Sequence, residues 1–168
     1  QVWCVFVFDR DILDALLERG LTADRRIEFI HDSVRQLDEA LAALGRRHGH
    51  SGVRLLVRHG PAIDALASLA RQLHVQAVYA NHDDEPAALQ RDARARGVLA
   101  EAGIALHTSK DHVVFERSEV LTGAGAPYSV FTPYKNAWLR KLEPFFLKAY
   151  PIQPHAHALA AVPAGAPT

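Results

Sequence analysis

VQAVYANHDDEPAALQRD, residues Val75–Asp92, is the stretch whose reading decides the fold. Its apolar run Ala77–Ala80 has the length of a strand and breaks at Asn81, after which His82, Asp83, Asp84 and Glu85 follow in a row. Pro86 then stands where a helix begins, a position that needs no backbone N–H. A strand, a polar loop and a helix in this order form the unit that builds ligand sites in open α/β sheets, because the loop lies beyond the carboxyl end of the strand. The acidic loop is therefore the first candidate for a binding site.

The same alternation runs outward in both directions. Upstream, QVWCVFVF (1–8) is a nearly continuous apolar run, suited to a strand covered on both faces. It ends in Asp9-Arg10-Asp11, and two readings stand for these charges: a ligand-facing strand end, or a turn that caps a short helix over 12–19. Ile27, Ile30, Val34, Leu37, Leu41 and Leu44 recur at three-four spacing and predict a helix with one buried stripe. Asp24 is placed to cap it. Arg25 and Arg26 sit poorly at its positive end, so they either face water or hold an anion. Residues 45–52 read as a loop, 53–58 as a second strand ended by Gly60-Pro61, and 63–73 as the next helix.

Downstream, the helix over 85–102 leads to a fourth strand, 104–107. Strands alternating with amphipathic helices at this pitch predict βαβ units and a multiply wound parallel sheet with helices on both faces. The alternation stops after His107. Residues 123–127 (GAGAP) read as a turn, and Thr132-Pro133 reads as the cap and first position of an aromatic-rich helix over 134–147. Residues 151–168, rich in Ala, Pro and His without periodicity, read as an interdomain linker after an α/β domain over 1–150.

Composition narrows the functional classes. Lys plus Arg and Asp plus Glu both number 19, so no global charge advertises a nucleic-acid partner. A single cysteine, Cys4, excludes a disulfide framework and fits a reducing, cytoplasmic setting. No apolar run approaches ~20 residues, the length that would span a membrane. The polar run 82–85 offers metal-ligand chemistry, but no second ligand cluster has convincing spacing, so no metal site is assigned. Neither a GxGxxG nor a GxxxxGK phosphate loop occurs. The chain contains no methionine and opens directly on a strand, from which we expect a piece of a longer protein or one whose front end has been removed.

The motifs DRRIEFI (24–30), VRHG (57–60), VYANHDDEP (78–86), RD (91–92), KDHVVFE (110–116), EVLT (119–122) and YSVFTPYKNAW (128–138) occur in one order along nearly the whole chain. Together they resemble the amino-terminal α/β domain of the DNA photolyase/cryptochrome family, in the form found in bacterial photolyases of cyclobutane pyrimidine dimers. The resemblance implies a Rossmann-like domain whose five strands run in the order 3-2-1-4-5. The present chain would begin at the second of these, leaving the central position without its strand.

The resemblance also implies a function. Such a domain holds an antenna chromophore, a folate or a deazaflavin, that passes excitation to FAD in a following helical domain. FAD then donates an electron to a dimer flipped out of UV-damaged DNA. The expectation is a light-driven carbon–carbon lyase of DNA repair, active as the full-length protein, with no catalytic residue in this part. A cryptochrome-like blue-light photoreceptor on the same scaffold is the alternative. Folate-binding members carry an Asn-Glu pair where this chain has Ala87 and Ala88. Deazaflavin-binding members use acids at the positions of Asp9, Asp83 and Glu85 and an arginine at that of Arg26, all four present here. These four are the expected cofactor-binding residues and a deazaflavin the favoured antenna; for Asp83 and Glu85, simple capping of the following helix stays open.

Overall fold

The computed structural model describes residues 1–21 and 23–164. Four strands, β1 (Cys4–Asp9), β2 (Leu55–Gly60), β3 (Ala77–Asn81) and β4 (Ala105–Ser109), alternate with the helices α1 (Arg10–Glu18), α2 (Arg25–Arg47), α3 (Ala62–Gln72) and α4 (Pro86–Glu101). A fifth helix, α5 (Phe131–Lys141), follows. The predicted α/β alternation is therefore realised, the four strands and helices α1–α4 each within a few residues of their expected bounds.

Both strand pairings are parallel, and each needs a long crossover, which a helix supplies. β1 pairs with β2 from Cys4↔Leu55 to Asp9↔Gly60, across α1 and α2. β3 pairs with β4 from Ala77↔Ala105 to Asn81↔Ser109, across α4. These are the pairings that the 3-2-1-4-5 order implies for the strands outside its first. The single wound sheet expected from sequence is, among the described residues, two two-stranded sheets. The chain divides accordingly into two compact units, residues 1–74 with the tail from Pro151, and Val75–Tyr150.

In the first unit the core is Val34, Val53, Leu55, Leu56, Ala67, Leu69 and Ala70, with Leu56 fully enclosed. Burying one such leucine contributes about 1.5–3 kcal/mol. α2 begins as predicted: the Asp24 carboxylate accepts the Arg26 N–H at 2.8 Å. Its buried stripe is narrower than the periodicity implies, since Val34 is buried while Ile30 and Leu37 are exposed. Two strands offer too little surface to cover the full stripe. For the same reason β1 is half-buried along most of its length rather than covered on both faces.

α2 also runs through Gly45 to Arg47, where a loop was expected. Gly45 is kept because the helix lies against β2's approach: a Cβ there would stand 2.7 Å from Val53 Cβ. Asp38 fastens α2 to the same strand, accepting Arg54 Nε at 2.9 Å and the Leu55 N–H at 2.8 Å.

The tail departs from a plain linker. Residues 153–158 form a 3₁₀ segment whose Ala156 is buried, and Val2 bridges Leu159 in parallel. Trp3 Nε1 donates to the Ala161 carbonyl at 3.0 Å. Residues 151–164 are thus built into the first unit by backbone pairing, which hydropathy periodicity does not register. The remaining linker positions, 165–168, lie outside the described residues.

The second unit centres on Leu99, with Ala88, Ala95, Ile104 and Phe115 also buried. α4 packs against β4. Tyr79, 76% exposed, stacks on His107, its register partner, with ring centroids 4.9 Å apart. Val130, not Thr132, stands at the N-cap of α5, so Thr132 and Pro133 fall within its first turn. The helix ends at Lys141, and Pro144 opens a separate 3₁₀ turn over Pro144–Leu147. Proline cannot continue the hydrogen-bond ladder, which is why the expected single helix over 134–147 breaks. Phe115 gathers the aromatic residues of both pieces, with Trp138 at 5.5 Å and Phe146 at 4.8 Å.

Candidate functional site

The carboxyl ends of β1 and β2 carry the first unit's candidate groups. Asp9 is the last residue of β1 and is only 9% exposed. Its Oδ1 accepts the Asp11 N–H at 3.2 Å and the Ala62 N–H at 3.1 Å. One carboxylate thus satisfies the first turns of α1 and α3, whose partial positive charge favours an anion there. The capping alternative for Asp9 is what the geometry displays.

Beside it, Phe8, Leu13, Ile27, Glu28, His31 and His59, with Asp32, line an open cleft of about 570 Å³. Phe8 and His59 are in register across the β1–β2 pair, and the Phe8 and His31 rings lie 6.5 Å apart. An apolar, aromatic floor with ionisable groups at its rim suits a flat heterocycle. None of His31, His59 or Glu28 was marked as a site residue by sequence; histidines separated along the chain give no periodic signal.

Arg26, at the start of α2, turns back on its own cap. Its Nη2 lies 2.5 Å from Asp24 Oδ2 and its Nε 3.0 Å from Asp24 Oδ1. These guanidinium bonds, with the Arg26 backbone N–H, push the Asp24 carboxyl down to about 2. The poor placement of a cation at a helix start is thereby answered locally. The Arg26 side chain remains 74% exposed, free to swing toward an anionic ligand at the cost of that pair.

The acidic loop 82–85 occupies the carboxyl end of β3 in the second unit. Asp83 Oδ1 accepts the Glu85 N–H at 3.1 Å, so the structure brings these two predicted residues together in one turn. Glu85 is the N-cap of α4 yet makes no side-chain capping bond, which removes the capping reading for its carboxylate. The other three loop side chains are engaged. His82 Nε2 lies 2.6 Å from Glu116 Oε2, His112 Nδ1 lies 3.7 Å from Asp83 Oδ2, and Arg117 Nε lies 3.1 Å from Asp84 Oδ1. His112, isolated in sequence, is thus a partner of the loop. Among the described residues no group of three or more His, Cys, Asp or Glu side chains could hold a metal ion.

Residues 1–158 match the profile of the DNA photolyase family. The chain belongs to that family. It is 36% identical over 137 residues to a deoxyribodipyrimidine photo-lyase of Halobacterium salinarum, covering 82% of this chain and 26% of that protein. It is 34% identical over 111 residues to a deoxyribodipyrimidine photo-lyase of a Synechococcus strain, covering 66% of this chain and 23% of that one. The chain therefore spans about a quarter of the length of the curated relatives it matches. Among solved structures, an archaeal photolyase from Sulfolobus tokodaii shares the fold with a TM-score of 0.62 at 24% identity, over 85% of this chain and 29% of that one. That crystal structure is described as holding two FAD molecules and as implicating a novel light-harvesting cofactor.

Ala87 and Ala88 open α4 directly after Pro86, with Ala88 buried. Methyl side chains at these positions offer no hydrogen bond to a pterin. Cys4 is half-buried and its thiol is pushed up by that burial, which keeps it in the unreactive form. Among the described residues no helix is long and apolar enough to cross a membrane.

Proposed function

We propose that this chain is the antenna-chromophore-binding α/β part of a light-driven, FAD-dependent deoxyribodipyrimidine photolyase. The observation that carries the reading is the cleft at the carboxyl ends of β1 and β2, in a chain of the DNA photolyase family. Ligands of open α/β sheets bind at that rim. The chromophore supplies absorption of light and transfer of excitation; the chain's own residues bind and orient it. Phe8 and His31 provide ring contact, and Arg26 and Glu85 provide charge. Asp83 acts through its bond to the Glu85 amide, and Asp9 acts through the helix ends it joins. Asp9, Arg26, Asp83 and Glu85 are the chromophore-binding residues of this proposal.

A deazaflavin is favoured over a folate because Ala87 and Ala88 give a pterin nothing to bond. FAD and the damaged DNA are assigned to a helical domain outside this chain. Val130, Phe131, Leu139, Phe145, Leu147 and Tyr150 expose large apolar surface in the second unit, and we assign that surface to packing against such a domain. The setting proposed is the cytoplasm.

The test is direct. The chain is mixed with a purified deazaflavin or a folate, freed of excess ligand by gel filtration, and its near-ultraviolet and blue absorption is recorded. Retained deazaflavin absorbance is the expected result; retention of neither compound would overturn the antenna reading. Blue-light splitting of pyrimidine dimers by this chain joined to a flavin domain tests the enzymatic part.

A further inference from the structure

Three consecutive residues after β3 each reach across to one return segment, 112–117. His82 meets Glu116, Asp83 meets His112 and Asp84 meets Arg117. The loop backbone follows the same course, since the His82 N–H donates to the Ser109 carbonyl at 2.9 Å. The His82–Glu116 pair is the closest and the most sheltered of the three, with side chains 15% and 22% exposed.

The return segment is itself held by several bonds. Glu116 and Glu119 form a reciprocal capping box over the turn Arg117–Glu119, with the Glu116 N–H donating to Glu119 Oε2 at 2.7 Å. Lys110 Nζ donates to the same carboxylate at 2.6 Å, and Lys141 of α5 bonds the Glu119 carbonyl. Arg117 has φ 47°, a left-handed conformation that a non-glycine residue keeps only where its surroundings over-determine it. That conformation accompanies the Arg117 side chain's bond to Asp84. Glu85 alone of the loop's charged residues is left without a side-chain partner among the described residues.

We infer that His82, Glu116 and Arg117 are positioning residues: they clasp the acidic loop so that the Glu85 carboxylate is held out, pre-organised, for a bound ligand. Fixing a loop before binding removes its ordering cost from the binding step. The clasp acts on the site of the proposed antenna and rests on that reading; none of the three residues is required to touch the chromophore.

The experiment compares Glu116→Ala, Glu116→Gln and Arg117→Ala with the unsubstituted full chain by amide hydrogen exchange at residues 82–85, thermal melting and deazaflavin titration. Faster exchange confined to the loop, little change in melting, and about a tenfold weaker deazaflavin affinity are expected for Glu116→Ala and Arg117→Ala, with a tenfold loss matching about 1.4 kcal/mol. Glu116→Gln, whose amide oxygen still accepts from the His82 ring, should restore most of both. A merely structural role would lower melting without that rescue pattern, and would overturn the inference. Unchanged loop exchange would overturn the clasp; a loosened loop with full affinity would overturn its positioning role. If the unsubstituted chain binds no deazaflavin, the antenna reading and the positioning role fall together, while the exchange measurement still decides the clasp.

Discussion

The Asp9 carboxylate and the Ala62 amide, 53 positions apart, meet at 3.1 Å and join the end of β1 to the start of α3. The same oxygen holds the Asp11 amide, so one side chain organises two helix starts at the rim of the β1–β2 sheet. Asp9→Ala should therefore lower stability by about 1–3 kcal/mol, the cost of leaving buried donors unsatisfied. Asp9→Asn keeps an acceptor and should cost less. Urea unfolding followed by circular dichroism measures both, and equal losses would contradict the double-cap geometry.

Asp38 joins α2 to β2 and makes a prediction about acid. The Arg54 guanidinium, aided by the Leu55 N–H and opposed by partial burial, holds the Asp38 carboxyl below its usual range. A carboxyl lowered in the folded state contributes stability above its unfolded pKa of about 3.9, and that contribution disappears as pH falls through the folded value. The melting temperature of Asp38→Asn should thus lie below that of the unsubstituted chain at neutral pH. The gap should close as pH drops below about 4. A gap that stays constant to the lowest pH would rule out the ion pair as its source.

Two helical glycines should respond in opposite directions to alanine. Alanine is intrinsically better than glycine in a helix by about 1 kcal/mol. At Gly97 in α4 a Cβ meets nothing within 4 Å, so Gly97→Ala should raise the melting temperature. At Gly45 the new Cβ would stand 2.7 Å from both Val53 Cβ and Cγ2, and buried β-branched Val53 has little room to yield. Gly45→Ala should lower the melting temperature despite its better propensity. Pairing it with Val53→Ala should recover part of the loss.

The loop and α2 charges make a binding prediction. The Glu85 side chain makes no capping bond, so Glu85→Gln should leave melting nearly unchanged while weakening deazaflavin binding about tenfold, or about 1.4 kcal/mol. Arg26→Ala should weaken binding comparably. Asp24→Asn should instead strengthen binding, because it releases the guanidinium that Asp24 now holds. Fluorescence titration of the ligand distinguishes these, and a loss of affinity in Asp24→Asn would place Arg26 outside the site.

Local rules made much of this protein legible from its residues. The strand runs, the Asp24 cap and the Pro86 helix start are read from neighbours in the chain, because side-chain period and capping chemistry act over one or two turns. The ordered motifs from 24 to 138 carried the family, whose profile then matched residues 1–158. The α/β class was legible at that level, and the resemblance named Asp9, Arg26, Asp83 and Glu85 as candidates without saying what each side chain does.

Tertiary structure decided the partners. Asp9 serves two helices because α3 starts beside β1, and Arg26 turns to Asp24 while the Glu85 side chain makes no capping bond. Position 45 has no room for a side chain because Val53 lies against the helix there, and the tail from Pro151 is built into the first unit through Val2 and Trp3. The Glu116 bond to His82 spans 34 positions and leaves no trace in spacing or composition. Periodicity records which face of an element is apolar. It does not record which distant donor lies within three ångströms of a carboxylate, since chain folding alone brings such groups together.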